Sequence, residues 1–515
     1  MEIELKLNLS SAAARRLPDH PLLASEKPQK YRLFNTYYDT PARDLYRRGI
    51  ALRLRRKGWA VWLMTVKGAD PAAGALAQRS EWEAPTQPGV FDFSIVTDQG
   101  LREFLEAHQA ALQPLFSTDF TRTAWHVRRS GALVELALDR GRISVLRLPE
   151  APPPEMICEL ELELVEGESP DALFELAIEL ATDLHLHPAL ASKAERGYAL
   201  LDATKTMAFR AVASPLSATM TPVEAFRATA LTCLLQLQRN EAGVLAGEPD
   251  CVHQARVAIR RLRSAFNLFA PALAPEFIAT YAPRWRELAG QLGSARDWDV
   301  FLAETLVPME LAFPDHPVLS DWRIQGEAQQ LKGRLAARSA LAGQSYSQLL
   351  LAFAAALYRV VPPTIAADGP HEAELRRFAV QRLRRRTRKI AALARTHGGM
   401  NEEQRHELRI AFKKLRYALE FFVPLLPRKG RSSYFASLAK IQELLGLLND
   451  LVTAAQRIAT LPRNKDMPPL ICGWFAGRAH LLTQLFDEEL QYFLTLPVPW
   501  RSLVGRRKDK VIRSV

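Results

Sequence analysis

The chain has few cysteines, and none of them are paired in sequence. Cys158, Cys233, Cys251 and Cys472 include no CxxC, so neither a disulfide framework nor a zinc site is expected, and the plain reading is a reducing compartment. Long apolar runs are absent as well: no stretch is long enough to span a bilayer, and the first residues show no basic segment leading into an apolar core. The expectation is a cytoplasmic protein without a membrane partner. Acidic residues are in deficit, 56 against 68 Lys and Arg, which gives a formal charge of +12 and a pI near 9.6. That balance points to anionic partners: nucleic acid, a membrane surface or phosphate-rich small molecules. At 515 residues the chain is too long for one core, and its hydrophobic content of 48% fits a folded protein of two or more domains.

The two halves follow different periods. Residues 1–202 read mainly as strands: "GIALRLRRKG", "AVWLMTVKG", "RSEWEA", "GALVELALDRGRISVLRL" and "MICELELELVEG" alternate with period two. Two helical stretches, "DQGLREFLEAHQAALQPL" and "SPDALFELAIELATDLHL", interrupt them. This is the pattern of an α+β domain whose antiparallel strands form a barrel or a strongly curved sheet. Residues 203–221 lose the periodicity and read as a linker. Residues 222–500 are helical, with apolar residues at i, i+3, i+4 and i+7, and "PPT" near 362–364 marks a break. The closing "GRRKDKVIRSV" is expected to be a mobile basic tail.

The helical half repeats itself. "HQARVAIRRLRSAFNLF" begins at His253, and "HELRIAFKKLRYALEFF" begins 153 residues later at His406. Gly293 and Asp297 recur as Gly446 and Asp450 at the same offset. Two motifs at one spacing imply a duplicated helical bundle, spanning about 222–365 and 370–500. At about 100° per residue, His253, Arg256, Arg260 and Arg263 share one face of a helix, opposite Ala255, Ile259, Leu262 and Phe266. His406, Arg409, Lys413 and Arg416 repeat that face. Like charges three and four apart repel, so a stripe present twice suggests a polyanion to neutralise it. Few aromatics interleave with these arginines, so nucleic acid is a poor fit.

In the strand half, charges occupy one alternating face. Glu2, Glu4 and Lys6 share it in "MEIELKLNL"; Arg53 and Arg55, Lys67, Arg79 with Glu81 and Glu83, Arg122, Glu135 with Asp139, and Glu159 with Glu161 and Glu163 follow on later strands. If helices cover the apolar face, the charged face lines the lumen, where charges of both signs must be paired or filled by ligand and metal. Phosphates on the cations and Mg2+ or Mn2+ on the carboxylates would fill it.

These residues carry a family resemblance. Glu2, Glu4 and Lys6 resemble the ExExK signature of the CYTH domain, one of the triphosphate tunnel metalloenzymes, and the later charged strands resemble that family's motifs in its order. "SKAERGY", with Lys193 and Arg196, resembles its C-terminal basic motif. The helical half is similar to the CHAD domain, the conserved-histidine α-helical domain, with His253 and His406 at its named histidines. The second repeat departs from the first at Asn449, where the first has Arg296.

The resemblance implies an antiparallel β-tunnel and metal-dependent hydrolysis of inorganic triphosphate to pyrophosphate and phosphate. Glu2, Glu4, Asp139, Glu161 and Glu163 would hold Mg2+ or Mn2+, with Glu159 and Glu81 as further candidates. Lys6, Arg53, Arg55, Lys67, Arg122, Lys193 and Arg196 would bind triphosphate, and Glu4 and Lys6 are the expected catalytic residues. The histidine–arginine stripes would bind inorganic polyphosphate, which could bring the chain to polyphosphate granules. A CYTH-type adenylate cyclase, a thiamine triphosphatase, or a non-catalytic polyphosphate-targeting protein would use the same residues.

Overall fold

The computed structural model describes residues 2–58, 60–68, 76–146, 152–202, 207–359, 374–395, 402–428, 431–461 and 467–501. The basic tail and the prolines near 362–364 lie outside the described residues. The chain forms two compact units, Met1–Ala208 with Leu341–Arg359, and Phe209–Ala340 with Val360–Val515.

The first unit is a ten-stranded antiparallel sheet. Its strands are β1 (Glu2–Leu9), β2 (Gln29–Asp39), β3 (Ala51–Lys57), β4 (Val61–Lys67), β5 (Leu76–Arg79), β6 (Glu81–Pro85), β7 (Gln113–Arg129), β8 (Ala132–Val145), β9 (Glu155–Glu166) and β10 (Leu186–Pro188). They run in the order β10-β1-β9-β8-β7-β2-β3-β4-β6. "RSEWEA" reads as one strand in sequence, but the chain breaks at Ser80. β5 pairs with β1 and β6 pairs with β4. That switch bends the sheet round until it nearly closes into a barrel.

Residues opposite one another in neighbouring strands share a face. The register places Lys6 opposite Glu161, Glu4 opposite Glu163, Glu163 opposite Glu135, Arg122 opposite Asp139, Tyr31 opposite Arg122, Tyr37 opposite Arg53, and Lys67 opposite Glu81. Several rungs of the ladder therefore carry the charged positions to the inside. The other face is apolar and is covered by helices. Leu5, Leu7, Leu136, Leu160 and Leu162 pack under Leu173, Phe174, Leu176 and Leu180, which belong to the helix Asp171–Asp183. Leu52, Leu54, Met64 and Val66 pack with Phe93, Val96 and Leu105.

The interior is charged over only part of its length. Toward the start of β7, Leu33, Tyr37, Phe116, Phe120, Ile143 and Ile157 form an apolar plug with Ala194 and Tyr198 of the helix Lys193–Asp202. Gly197 in that helix is required by the fit: a Cβ there would lie 2.1 Å from the Phe116 ring.

One helix of this unit comes from far along the chain. Gln344–Arg359, inside the stretch that reads as the first helical repeat, buries Leu351, Ala354 and Ala355 in the same core as Leu176 and Leu180. The Gln344 and Gln348 side chains donate to the Ala181 carbonyl at 3.1 and 3.0 Å. The Ser347 hydroxyl hydrogen-bonds His187 Nδ1 at 2.8 Å.

The second unit contains, among its described residues, the helices Pro222–Ala246, Pro249–Phe269, Pro275–Gln291, Gly293–Val300, Val307–Ala312, Pro317–Ala342, Glu374–Ala394, Glu402–Phe422, Arg431–Thr460 and Pro469–Thr495. A π-helical turn, Phe301–Leu306, joins the fourth to the fifth. Residues 207–221 form no helix or strand, yet they are tied down: Asn240 bonds both the N–H and the carbonyl of Phe209, and Arg261 donates to the Val212 carbonyl. The expected core faces are buried, Ala255, Ile259, Leu262 and Phe266 in one repeat and Leu408, Phe412, Leu415 and Leu419 in the other. No single described helix is long and apolar enough to cross a bilayer.

Leu351→Ala removes a fully buried side chain from the barrel's outer core and is expected to cost about 2–5 kcal/mol. Hydrogen exchange should show the lost protection in β1, β8 and β9. Loss confined to the second unit would contradict this placement.

Candidate active site

A cavity of about 280 Å³ lies inside the barrel. Seven cations, Lys6, Arg53, Arg55, Lys67, Arg79, Arg122 and Lys193, and six carboxylates, Glu2, Glu81, Glu83, Glu135, Glu161 and Glu163, line it with Tyr31, Tyr37, Phe120 and Ser192. Thirteen ionisable groups around so small a volume can be buried only if they neutralise one another.

They do so in two clusters. In the first, Lys193 is the hub. Its ammonium contacts Asp139 at 2.7 Å, Glu161 at 3.0 Å, and Glu159. Arg122 clamps Asp139 with two hydrogen bonds of 2.8 and 2.7 Å and reaches Glu161 at 2.5 Å. Burial opposes ionisation of Glu161, but Lys193 and Arg122 outweigh it and hold the carboxyl well below the usual range. One oxygen each from Asp139, Glu159 and Glu161 fall within 4.8 Å of one another, a spacing suited to a metal ion. The Lys193 ammonium already serves as their cation.

In the second cluster, Glu2 accepts from Lys67 at 2.8 Å and from Arg79 at 3.2 Å, and Glu4 pairs with Lys6 and Arg79. Lys67 also meets Glu81 at 3.0 Å, Arg53 meets Glu81 at 3.5 Å, and Arg55 meets Glu83 at 3.6 Å. Two groups here are left under-neutralised. Burial, and then the Arg53 guanidinium, push Arg55 down to about 10. Burial, and then Glu2, push Glu163 up to about 7, with Glu4 and Glu135 adding to the rise although Lys67 opposes it. Glu163 has no ion-pair partner among the described residues. An anion beside Arg55 and a cation beside Glu163 would each relieve a local excess of charge. The donors around Glu163 are carboxylate oxygens, the hard ligands that suit Mg2+ or Mn2+.

Each residue expected at this site can now be placed. Glu2, Glu161, Glu163, Lys6, Arg53, Arg55, Lys67, Arg122 and Lys193 line the cavity. Glu4, Asp139 and Arg196 do not: Glu4 and Asp139 are buried behind their partners, and Arg196 binds Glu155 at 2.7 Å and Glu159 at 2.8 Å. Arg79 and Glu135 face the cavity although no role was expected of them. Their parity in "RSEWEA" and "VELALDRG" was the available signal.

The CYTH domain family matches residues 1–198 and the CHAD domain family matches residues 228–459. The chain joins a CYTH domain to a CHAD domain. The inorganic triphosphatase of Haemophilus influenzae is 34% identical over 203 residues, which are 39% of this chain and 54% of that protein. The chain thus matches about half the length of that curated relative. A crystal structure of the CHAD domain from Ricinus communis is 30% identical with a TM-score of 0.46, covering 57% of this chain and 98% of its own. A Hippeastrum protein, described as a candidate adenylyl cyclase that reveals a dominant triphosphatase activity, is 20% identical with a TM-score of 0.30, covering 39% of this chain and 96% of its own.

The CHAD unit holds a second group of charges. Arg256 of helix Pro249–Phe269 binds Asp297 at 3.0 Å and the Gly293 carbonyl at 2.6 Å, and Arg457 reaches the other Asp297 oxygen at 3.1 Å. Asp297 thus binds one arginine from each repeat. Arg260 donates to the Tyr417 hydroxyl at 2.5 Å. Burial and then the neighbouring arginines push His253 down to about 4 and Lys413 down to about 7; Arg260 and Arg256 act on both, and Arg409 acts on Lys413. Arg256 and Arg260 of the first stripe thus lie within electrostatic reach of Lys413 of the second, and Arg260 within reach of Arg409. Arg263 joins Arg256, Arg286 and Arg457 around a neighbouring cavity. His406 lines a separate one with Arg405, Arg409 and Asn449. Arg416 turns aside to Gln442 at 2.9 Å.

The folded state keeps the Glu163 proton up to about pH 7, whereas the ordinary carboxyl value is 4.5. Its ionisation therefore costs stability progressively above about pH 4.5 and fully above about pH 7. In metal-free buffer, Glu163→Gln should raise the Tm at pH 8 and leave it unchanged near pH 4.5. Equal effects at both pH values would contradict this environment.

Proposed function

We propose that the CYTH cavity hydrolyses inorganic triphosphate to pyrophosphate and phosphate with Mg2+ or Mn2+, and that the basic stripes of the CHAD unit bind inorganic polyphosphate. The observation that carries the first part is the lining itself, seven cations and six carboxylates around about 280 Å³. A pure anion binder has little use for the carboxylates. A cavity below the ordinary range for organic ligands suits a bare chain of phosphates better than a nucleotide.

In this reading, Lys6, Arg53, Arg55, Lys67, Arg79, Arg122 and Lys193 take phosphate oxygens. Arg55, flanked by Arg53 and short of counter-charge, gains most from them. Glu2, Glu135, Glu161 and Glu163, with Glu4 behind them, are the carboxylates assigned to the metal. Asp139 does not line the cavity and has its oxygens engaged by Arg122 and Lys193, so its role here is to position those two side chains. The bound metal would neutralise phosphate charge and help to activate the attacking water. Phosphoryl transfer gains mostly from positioning and charge neutralisation, so no side-chain nucleophile is needed.

Phosphate release from triphosphate should require the divalent metal and exceed release from ATP. Glu4→Gln, which removes a charge that Lys6 and Arg79 both depend on, should lower it by about a hundredfold or more. Wild-type turnover in that variant, or turnover undiminished by chelation, would overturn the assignment.

The second part is supported by the convergence of His253, Arg256, Arg260, Arg409 and Lys413, whose mutual repulsion a polyanion would relieve. With its value near 7, Lys413 is charged below neutrality and largely uncharged at pH 8. Polyphosphate affinity should therefore rise from pH 8 to pH 6 and fall with salt. Lys413→Met should flatten the pH dependence, measured by titration calorimetry at fixed ionic strength. An unchanged pH profile in that variant would sink this reading.

A further inference from the structure

The helix Pro317–Ala342 has two opposed apolar faces, and among the described residues only one of them has a partner. Leu319, Trp322 and Ala337 are buried on the inner side, and Gly326 packs on Leu302. On the outer side Ile324, Leu331 and Leu335 are 67%, 60% and 57% exposed. Single exposed leucines are ordinary. Here Asp321, Ile324, Ala328, Leu331, Leu335 and Arg338 follow one another at alternating spacings of three and four, the seam of a two-stranded coiled coil, and all six are exposed.

The seam is self-complementary in one orientation. Residues equally distant from the midpoint between Gln329 and Gln330 would meet in an antiparallel pair. Ile324 then meets Leu335, and the small Ala328 meets the large Leu331. Asp321 meets Arg338, opposite charges at each end of the apolar stretch. Neither Asp321 nor Arg338 has an ion-pair partner among the described residues. A parallel pair would instead place Asp321 against Asp321 and Arg338 against Arg338. A two-fold axis through the helix midpoint satisfies every position twice, as an isologous interface must.

We propose that this face is a homodimer interface, its occupant a second copy of the same helix in antiparallel register. The helix is roughly 39 Å long at 1.5 Å per residue, and the seam occupies its central five turns.

Sedimentation velocity on the full chain tests this, up to about 100 µM, where micromolar association is complete. The wild type should sediment as a dimer at the upper end of that range. Leu331→Glu, an exposed substitution, should weaken dimerisation by at least about tenfold by placing a carboxylate in the seam. Asp321→Arg and Arg338→Asp should each weaken it through like-charge contacts at both ends. An equimolar mixture of those two variants should recover it, because each copy then supplies what the other needs. A wild type that stays monomeric throughout, or a dimer that Leu331→Glu leaves intact, would overturn the proposal. So would a dimer broken instead by Leu485→Glu on the other exposed apolar helix, Pro469–Thr495, or a mixture that fails to recover association.

Discussion

The first unit depends on neutralising charge inside a barrel. Lys193 is almost wholly buried, and Asp139, Glu159 and Glu161 share its charge. Removing one partner of such a group leaves an uncompensated charge in low dielectric, at a cost of several kcal/mol. The network therefore holds the barrel together and also presents cations to the cavity. The helix Lys193–Asp202 serves both ends: its first residue enters the charged network, while Gly197 and Tyr198 close the apolar plug against Phe116. An inward charged face also forces the apolar face outward, which is why helices wrap this sheet.

The CHAD unit treats charge in the opposite way. Its stripes gather cations with few carboxylates among them; Asp297 is shared by Arg256 and Arg457, and Asp450 is raised by burial despite Arg409 and Lys413 nearby. Burial first, and then that excess of neighbouring arginines, depresses His253 and Lys413. The CYTH cavity pairs most of its cations with its own carboxylates, whereas the CHAD stripes leave several cations to repel one another. The two repeats are not copies in detail: Pro275–Gln291 and Gly293–Val300 are separate helices in the first, and Gly446 lies inside the single helix Arg431–Thr460 in the second.

Much of the candidate site was legible because a strand's alternation is visible in sequence. Glu2, Glu4 and Lys6, or Glu159, Glu161 and Glu163, must share a face in any extended conformation, and the strand pairing sets those faces against one another. Which groups pair was not legible. Arg122 meets Asp139 across neighbouring strands, but Lys193 reaches the same carboxylate from a helix. Periodicity cannot rank the carboxylates either: Asp139 and Glu163 look equivalent, yet one is fully engaged and the other is crowded by like charges.

The sequence by itself determined the two-part organisation, the inward charged face and the duplicated basic stripes, because hydrophobic period and residue parity are local properties. The tertiary structure decided which carboxylates keep a free oxygen and that only part of the lumen is charged. It also placed Gln344–Arg359 in the core of the first unit although its sequence neighbours belong to the second. Those outcomes follow from burial and distance between segments far apart in the chain, which no local pattern encodes.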